Sequence, residues 1–282
     1  MNEQLTIEPI TPTIGAYLHI AADRVNDPGM ADAILDALNR YNVVVFPQIH
    51  MSDAQFVELT GALGETHELG VTKDTSAASD MGIYRIALDK DDKTQLDYIR
   101  GNDYWHMDGT VYDAPGKATL LKCEGAPSTG GDTDFANLFA AYEALPEERK
   151  QALEELRVVH CLRAVGRKIY DEPTPEDFAR WDSIFPPREH PLVWHQQDGR
   201  TSLVIGTTAE TIAGMDDAAG AAFIDDLHDW CTSDRFTYRH KWQKGDVVIF
   251  NNPGLLHRST PYDDASGRVL HRTTVKGHEA IA

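Results

Sequence analysis

Three residues constrain the fold more than any other feature of the chain: His106 and Asp108, separated only by Met107, and His257, about 150 residues later. Alternate side chains of an extended strand point to the same side, so His106 and Asp108 can face one ion while Met107 turns away. For His257 to join them, the chain must return its C-terminal part to the side of residue 106. Two imidazoles and one carboxylate on one face of a metal leave three positions open, the donor set that suits non-heme Fe(II). A bare His-X-Asp carries little weight, because 12 histidines and 45 acidic residues produce such pairs by chance. The plain alternative is a solvated or core-paired histidine.

The neighbourhood adds specificity. Asn102-Asp103-Tyr104-Trp105 leads into His106-Met107-Asp108-Gly109-Thr110, followed by Pro127-Ser128-Thr129-Gly130-Gly131-Asp132-Thr133 and by Ala140-Ala141-Tyr142-Glu143-Ala144-Leu145. Gly245-Asp246-Val247-Val248-Ile249-Phe250 precedes His257, and Gly267-Arg268-Val269-Leu270-His271-Arg272-Thr273-Thr274 follows it. This ordered set resembles the Fe(II)/2-oxoglutarate-dependent dioxygenases of the taurine dioxygenase and 2,4-dichlorophenoxyacetate dioxygenase family. The resemblance runs from about Leu5 to His278 and is strongest over residues 102–146, 190–206 and 244–277.

The resemblance implies a role for each matching residue. His106, Asp108 and His257 are the metal ligands and carry the catalytic centre. Arg268, eleven residues past His257, and Thr133, twenty-seven past His106, match the pair that holds the distal carboxylate of 2-oxoglutarate. The chemistry suits them, since a planar guanidinium grips a carboxylate with two parallel charge-assisted bonds and a hydroxyl takes a remaining lone pair. Arg272, four residues on and on the same strand face, matches an arginine that meets the substrate anion and in some relatives approaches the cosubstrate. His271 has the opposite parity and reads as a packing or surface residue. Asn102 fits a substrate-side asparagine. Where the taurine enzyme places polar and aromatic substrate contacts, an ungapped match puts Leu69 and Thr72. Taurine is therefore disfavoured against a larger, more apolar acid. The segment 86–100, with Asp89-Lys90-Asp91-Asp92-Lys93, reads as an exposed loop able to act as a lid.

Helical spacing of Ile34, Leu35 and Leu38 predicts a helix over 31–41, and Val43-Val44-Val45-Phe46 a buried strand. Ser52 and Gln55 form a capping-box signature ahead of Phe56, Leu59 and Leu63. Short strands are expected at 118–122, 132–136, 202–205, 247–250 and 269–275, with helices at 138–145, 147–156 and 218–231. Periodicity alone indicates a mixed chain with much antiparallel sheet. The resemblance implies more: an α+β fold with a double-stranded β-helix, a cupin-like jelly roll, as its core and flanking helices. No linker composition or repeat interrupts the chain, so a single domain over 1–282 is expected.

The net charge of -19 argues against nucleic acid or an anionic membrane as partner. Cys123, Cys161 and Cys231 are odd in number and lack metal-site spacing, which favours reduced thiols in a cytoplasmic setting. Met1-Asn2-Glu3-Gln4 shows no secretory pattern, and no apolar run has membrane-spanning length.

The resemblance implies Fe(II), 2-oxoglutarate and O2 as cofactor and cosubstrates, with succinate and CO2 released as a small organic anion is hydroxylated. A hydroxyl placed beside a heteroatom would fragment the product. It also implies a homo-oligomer. Two other classes compete. A Zn-dependent hydrolase or isomerase could use the same ligands, but leaves Thr133 and Arg268 without a reason. A noncatalytic ligand-binding relative could dispense with a metal ligand, and all three are present. His160, His195 and His240 have no partner spacing and read as structural; Tyr104, Trp105 and Phe250 read equally as pocket or core.

Overall fold

The computed structural model describes residues 5–67, 81–88 and 93–282. Its centre is a pair of facing sheets. The large sheet has seven strands in the spatial order Thr6–Pro9, Ala16–His19, Val43–Phe46, Val247–Asn251, Ala118–Gly125, Val269–Val275 and Tyr84–Ala87. The small sheet places Thr133–Asn137 between Thr237–His240 and Leu255–Ser259. Ala16–His19 runs parallel to Val43–Phe46, and the remaining pairings in both sheets are antiparallel.

Strand alternation decides what fills the space between the sheets. Val43, Val45, Val248, Phe250, Leu121 and Leu270 turn inward from the large sheet onto Phe135 and Leu255 of the small one. Their neighbours Val44, Phe46, Val247 and Ile249 turn outward, where the helices Met30–Tyr41 and Asp53–Leu63 cover them. Covered on both sides, Val43–Phe46 is a continuous buried run rather than an alternating one. The expected capping box starts the second helix: Gln55 N donates to Ser52 Oγ at 3.2 Å, and Ser52 N to Gln55 Oε1 at 2.9 Å. Behind the small sheet, Ala136 and Leu256 join a further apolar cluster with the helices Leu138–Glu143 and Asp217–Cys231. The result is the α+β double-stranded β-helix with flanking helices that the sequence led us to expect.

Local departures have simple causes. The helices expected to end at 145 and 156 stop at Glu143 and Leu153, ahead of Pro146 and of the strand Arg157–His160. The segment read as a lid loop is mostly ordered structure. Tyr84–Ala87 is an inward-facing edge strand, and Lys93–Gly101 is a helix whose Tyr98 and Ile99 turn toward the interior; residues 89–92 lie outside the described set. Two helices went unread, Leu162–Ile169 and Pro175–Ile184. The second has a capping box at Thr174 and Asp177 with proline in its first turn, a start signal present in the sequence. Among the described residues, no helix is long and apolar enough to cross a membrane.

Candidate active site

One backbone pairing assembles the centre of the site. His106 and His257 form an isolated antiparallel bridge in which each amide donates to the other's carbonyl at 2.9 Å. His257 lies on Leu255–Ser259, paired with Phe135, so the small sheet fixes its place and the bridge carries His106 to it. The imidazole centroids stand 4.0 Å apart. Asp108 approaches both: its Oδ1 is 3.9 Å from His106 Nε2 and its Oδ2 4.0 Å from His257 Nε2. Each residue offers one donor atom, all within 4.8 Å of one another, a spacing a single metal ion can span.

The electrostatics suit a cation. His106 Nδ1 contacts the Tyr104 carbonyl oxygen at 2.8 Å, so that nitrogen carries the proton and Nε2 is left with a bare lone pair. Burial lowers the pKa of His106 and, more strongly, of His257, where His106 adds to the effect; both imidazoles are neutral at neutral pH. His257 Nδ1 is buried without a hydrogen-bond partner among the described residues. Burial opposes ionisation of Asp108, yet the Arg272 guanidinium, helped by the Thr119 hydroxyl, outweighs it and holds the carboxyl down at about 2. Arg272 Nη2 donates to Asp108 Oδ2 at 2.6 Å and Thr119 Oγ1 to the same oxygen at 3.2 Å. Oδ1 is the oxygen left for a metal. These residues fit Fe(II).

On the opposite face of the same strands, Asp53, Glu124 and His271 also cluster. There the cation is already supplied by the chain, because the buried Lys122 ammonium pairs with Asp53 and with Glu124. His271 Nδ1 meets Asp53 Oδ1 at 2.9 Å, in keeping with its opposite parity to Arg272.

Two cavities meet at the triad. The inner one, about 40 Å³, lies between the sheets and is lined by Thr133, Arg268, Arg272, Thr119, Tyr262 and Phe250 among others. Arg268 reaches it over a glycine seat. Its Nε donates to the Gly131 carbonyl at 2.7 Å, and its guanidinium lies over the Tyr262 ring at 4.7 Å. A Cβ on Gly131, which sits at φ +64°, would come within 2.6 Å of Arg268 Cδ, so Gly131 is required here. The outer cavity, about 360 Å³ and open to solvent, lies beyond His106 and Asp108. One side of its wall comes from the helices Leu162–Ile169 and Pro175–Ile184 and the residue after the second, with Leu162, Val165, Ile169, Trp181, Ile184 and Phe185, and the other from residues between 97 and 112. Asn102 and Tyr98 line both cavities.

The sequence-derived set is thus largely brought together. The triad converges, Thr133 and Arg268 share the inner cavity, and Asn102 stands at the junction. Arg272 lies on the inner side, with Nη1 on Tyr98 Oη at 2.7 Å and Nη2 on Asp108. Leu69 and Thr72 lie outside the described residues. His160 and His240 are buried in hydrogen-bonded structure and His195 pairs with Glu154, as structural readings would have them. Tyr98, Thr119, Tyr262 and the outer apolar wall were not anticipated.

Comparison with known proteins accounts for this arrangement. The family model for the taurine catabolism dioxygenase TauD, TfdA family, matches residues 6–274. The chain belongs to that family. It is 30% identical to an (S)-phenoxypropionate/alpha-ketoglutarate-dioxygenase of Sphingobium herbicidovorans, over 99% of this chain and 98% of that one. It is 31% identical to an alkylsulfatase of Acinetobacter baylyi, over 98% and 86%. The crystal structure of AAD-2 with Mn(II) and N-oxalylglycine superposes with a TM-score of 0.82 at 26% identity, covering 99% of this chain and all of that one. This family member is a 2-oxoglutarate-dependent dioxygenase, an oxidoreductase that uses Fe(II), 2-oxoglutarate and O2.

Proposed function

We propose that the chain hydroxylates a small organic acid with a bulky apolar body, using the junction of the two cavities as its reaction centre. The observation that carries this reading is the position of the His106–Asp108–His257 triad between a basic inner cavity and an apolar outer one. In this reading the three residues hold Fe(II), which with 2-oxoglutarate and O2 supplies the oxidising chemistry that places a hydroxyl on the substrate and releases succinate and CO2.

The chain's own groups do the placing. Arg268 and Thr133 bind the distal carboxylate of 2-oxoglutarate in the inner cavity, a bidentate cation and a hydroxyl for one anion. Arg272 keeps Asp108 ionised and orients it, and Thr119 Oγ1, which also meets the Asn252 side-chain amide, lies 3.2 Å from Asp108 Oδ2. The substrate's apolar body packs against Trp181, Phe185 and Val165, where each buried methylene adds about 0.8 kcal/mol. Its anionic head is drawn toward Arg272 and Asn102, with Leu69 proposed as a further contact. The relatives named for (S)-phenoxypropionate and alkyl sulfates support an anion on an apolar body. Hydroxylation beside an ether or ester oxygen would release a fragment. A cytoplasmic homo-oligomer completes the proposal, supported for location by three free, buried cysteines.

A panel of taurine, alkyl sulfonates, alkyl sulfates, aryloxyacids and amino acids, scored by substrate-dependent succinate release, tests it. An aryl or long-chain acid should lead. If taurine leads, or if a neutral or cationic compound outperforms every anion, the reading of the outer cavity is wrong.

A further inference from the structure

We propose that Trp242 is a positioning residue for 2-oxoglutarate: its indole N–H fixes the direction in which the Thr133 hydroxyl donates. The inference rests on the reading above that Thr133 faces the cosubstrate. Trp242 Nε1 lies 2.9 Å from Thr133 Oγ1, and both residues are buried. An indole nitrogen is a donor only, so Thr133 must accept this bond. Its single proton is then committed elsewhere. No acceptor for it occurs among the described residues, and Thr133 lines the inner cavity beside Arg268. A hydroxyl polarised in this way donates into the cavity, which suits an acceptor such as a carboxylate.

The indole is itself held. The His240 ring meets it edge-on at 4.5 Å and 88°. His240 Nε2 lies 3.0 Å from Asp246 Oδ2, so it carries a proton, and Nδ1 lies 3.0 Å from the Tyr238 hydroxyl. Asp246 also accepts from the amides of Gln48 and Gln243, at 2.8 and 2.9 Å. The strand register places His240 directly opposite Thr133. The whole chain of bonds therefore ends on one hydroxyl, and loss of the indole N–H frees that hydroxyl to rotate.

The test is anaerobic calorimetric titration of 2-oxoglutarate into Mn(II)-loaded protein, which reads binding rather than turnover. Trp242→Phe should weaken binding about three- to tenfold, the scale of one neutral hydrogen bond. Thr133→Val should weaken it about tenfold or more, and Trp242→Phe should add less than about twofold in that background, because coupled residues are not additive. Thr133→Ser should restore both the affinity and its sensitivity to Trp242→Phe. An equal loss from Trp242→Phe with and without the Thr133 hydroxyl overturns the inference, as does no loss in the otherwise unchanged protein. If Thr133→Val leaves binding unchanged, the reading of the inner cavity fails instead, and the inference with it. Should Trp242→Phe not fold, the indole ¹⁵N–H signals of the Zn(II)-loaded protein decide: one must move in Thr133→Val and stay in place in Thr133→Ser. An unmoved set of signals in Thr133→Val overturns the inference.

Discussion

The two cavities on either side of the triad are built by different means. The inner one is lined from strands: Thr133 on the central strand of the small sheet, Thr119 and Leu121 on one strand of the large sheet, Leu270 and Arg272 on another, all in hydrogen-bonded register. A one-residue slip in any of these strands would turn its cavity residues to the opposite face, so the register protects the geometry. The outer cavity is lined by residues of three helices, Lys93–Gly101, Leu162–Ile169 and Pro175–Ile184, and by the segment between residues 102 and 112, where side-chain packing rather than a sheet ladder sets the shape. Packing can be varied residue by residue without unpairing a strand. In the proposed function this becomes a division of labour: the cosubstrate cavity would rest on ladder geometry, and the substrate cavity on replaceable apolar contacts.

The largest effect expected from breaking this division falls on the junction itself. Alanine at His106, Asp108 or His257 should lower Fe(II) affinity by more than about a hundredfold and abolish turnover, since removing a ligand exceeds the effect of removing a supporting partner. Metal content and succinate release measure it, and wild-type values in any one variant would remove that residue from the triad. Next, Arg268→Ala should raise the 2-oxoglutarate requirement about a hundredfold, because truncating one member of a buried charge pair costs several kcal/mol. The preference order among substrates should not change, as Arg268 touches only the inner cavity. A cosubstrate titration that is unaltered would move the carboxylate anchor to Arg272.

A smaller and opposite pattern is expected in the outer wall. Gly166 lies under the Trp181 ring, and a Cβ there would come within 2.2 Å of it. Gly166→Ala should displace the indole, cost about 1–3 kcal/mol of stability, and reorder the substrate panel, with 2-oxoglutarate affinity within about twofold of wild type. Denaturant unfolding and competition assays check this; a cosubstrate affinity that falls with substrate affinity would show that the cavities are not independent.

The smallest effect is a pH dependence in the outer wall. His160 Nδ1 contacts Thr208 Oγ1 at 2.8 Å, and Thr208 contacts Thr110 at 2.8 Å; both threonines line the outer cavity. Burial, reinforced by the nearby His190, lowers the His160 pKa to about 3. The unfolded chain takes up this proton near pH 6.5 and the folded chain does not until about 3. Stability from this group is therefore complete above about pH 6.5 and declines as pH falls toward 3, with a slope approaching about 1.4 kcal/mol per pH unit. Unfolding free energies at pH 7 and 5 should differ less in His160→Gln than in wild type. An identical difference would mean that His160 does not bind its proton as its burial implies.

How much of this could be read from the chain depended on the range of the interactions. His106-X-Asp108 was legible because side-chain alternation along an extended segment is a two-residue property. Alternation likewise gave the opposed directions of His271 and Arg272, while the strand Val43–Phe46 was legible as a short β-branched run and the Ser52–Gln55 cap from its three-residue spacing. Thr133, His257 and Arg268 were reached through family resemblance; no local pattern links residues so far apart. The helix Pro175–Ile184 had a readable start, Thr174 to Asp177, but its Trp181 looked like core rather than cavity wall. Tyr98 was hidden in a segment whose charged beginning suggested a loop.

Sequence by itself determined the donor types and the periodicities that make two-faced strands and capped helices, while Arg268 and Thr133 came from the family resemblance. Tertiary structure decided that His257 stands opposite His106 across a single bridge, that Arg272 bonds to Asp108, and that Trp242 meets Thr133. It also decided that the helices Leu162–Ile169 and Pro175–Ile184 close one side of an apolar cavity. The physical reason is that alternation and capping act between residues a few positions apart, whereas these contacts join residues about 100 or more positions apart in most cases. They exist only once the sheets have set the register.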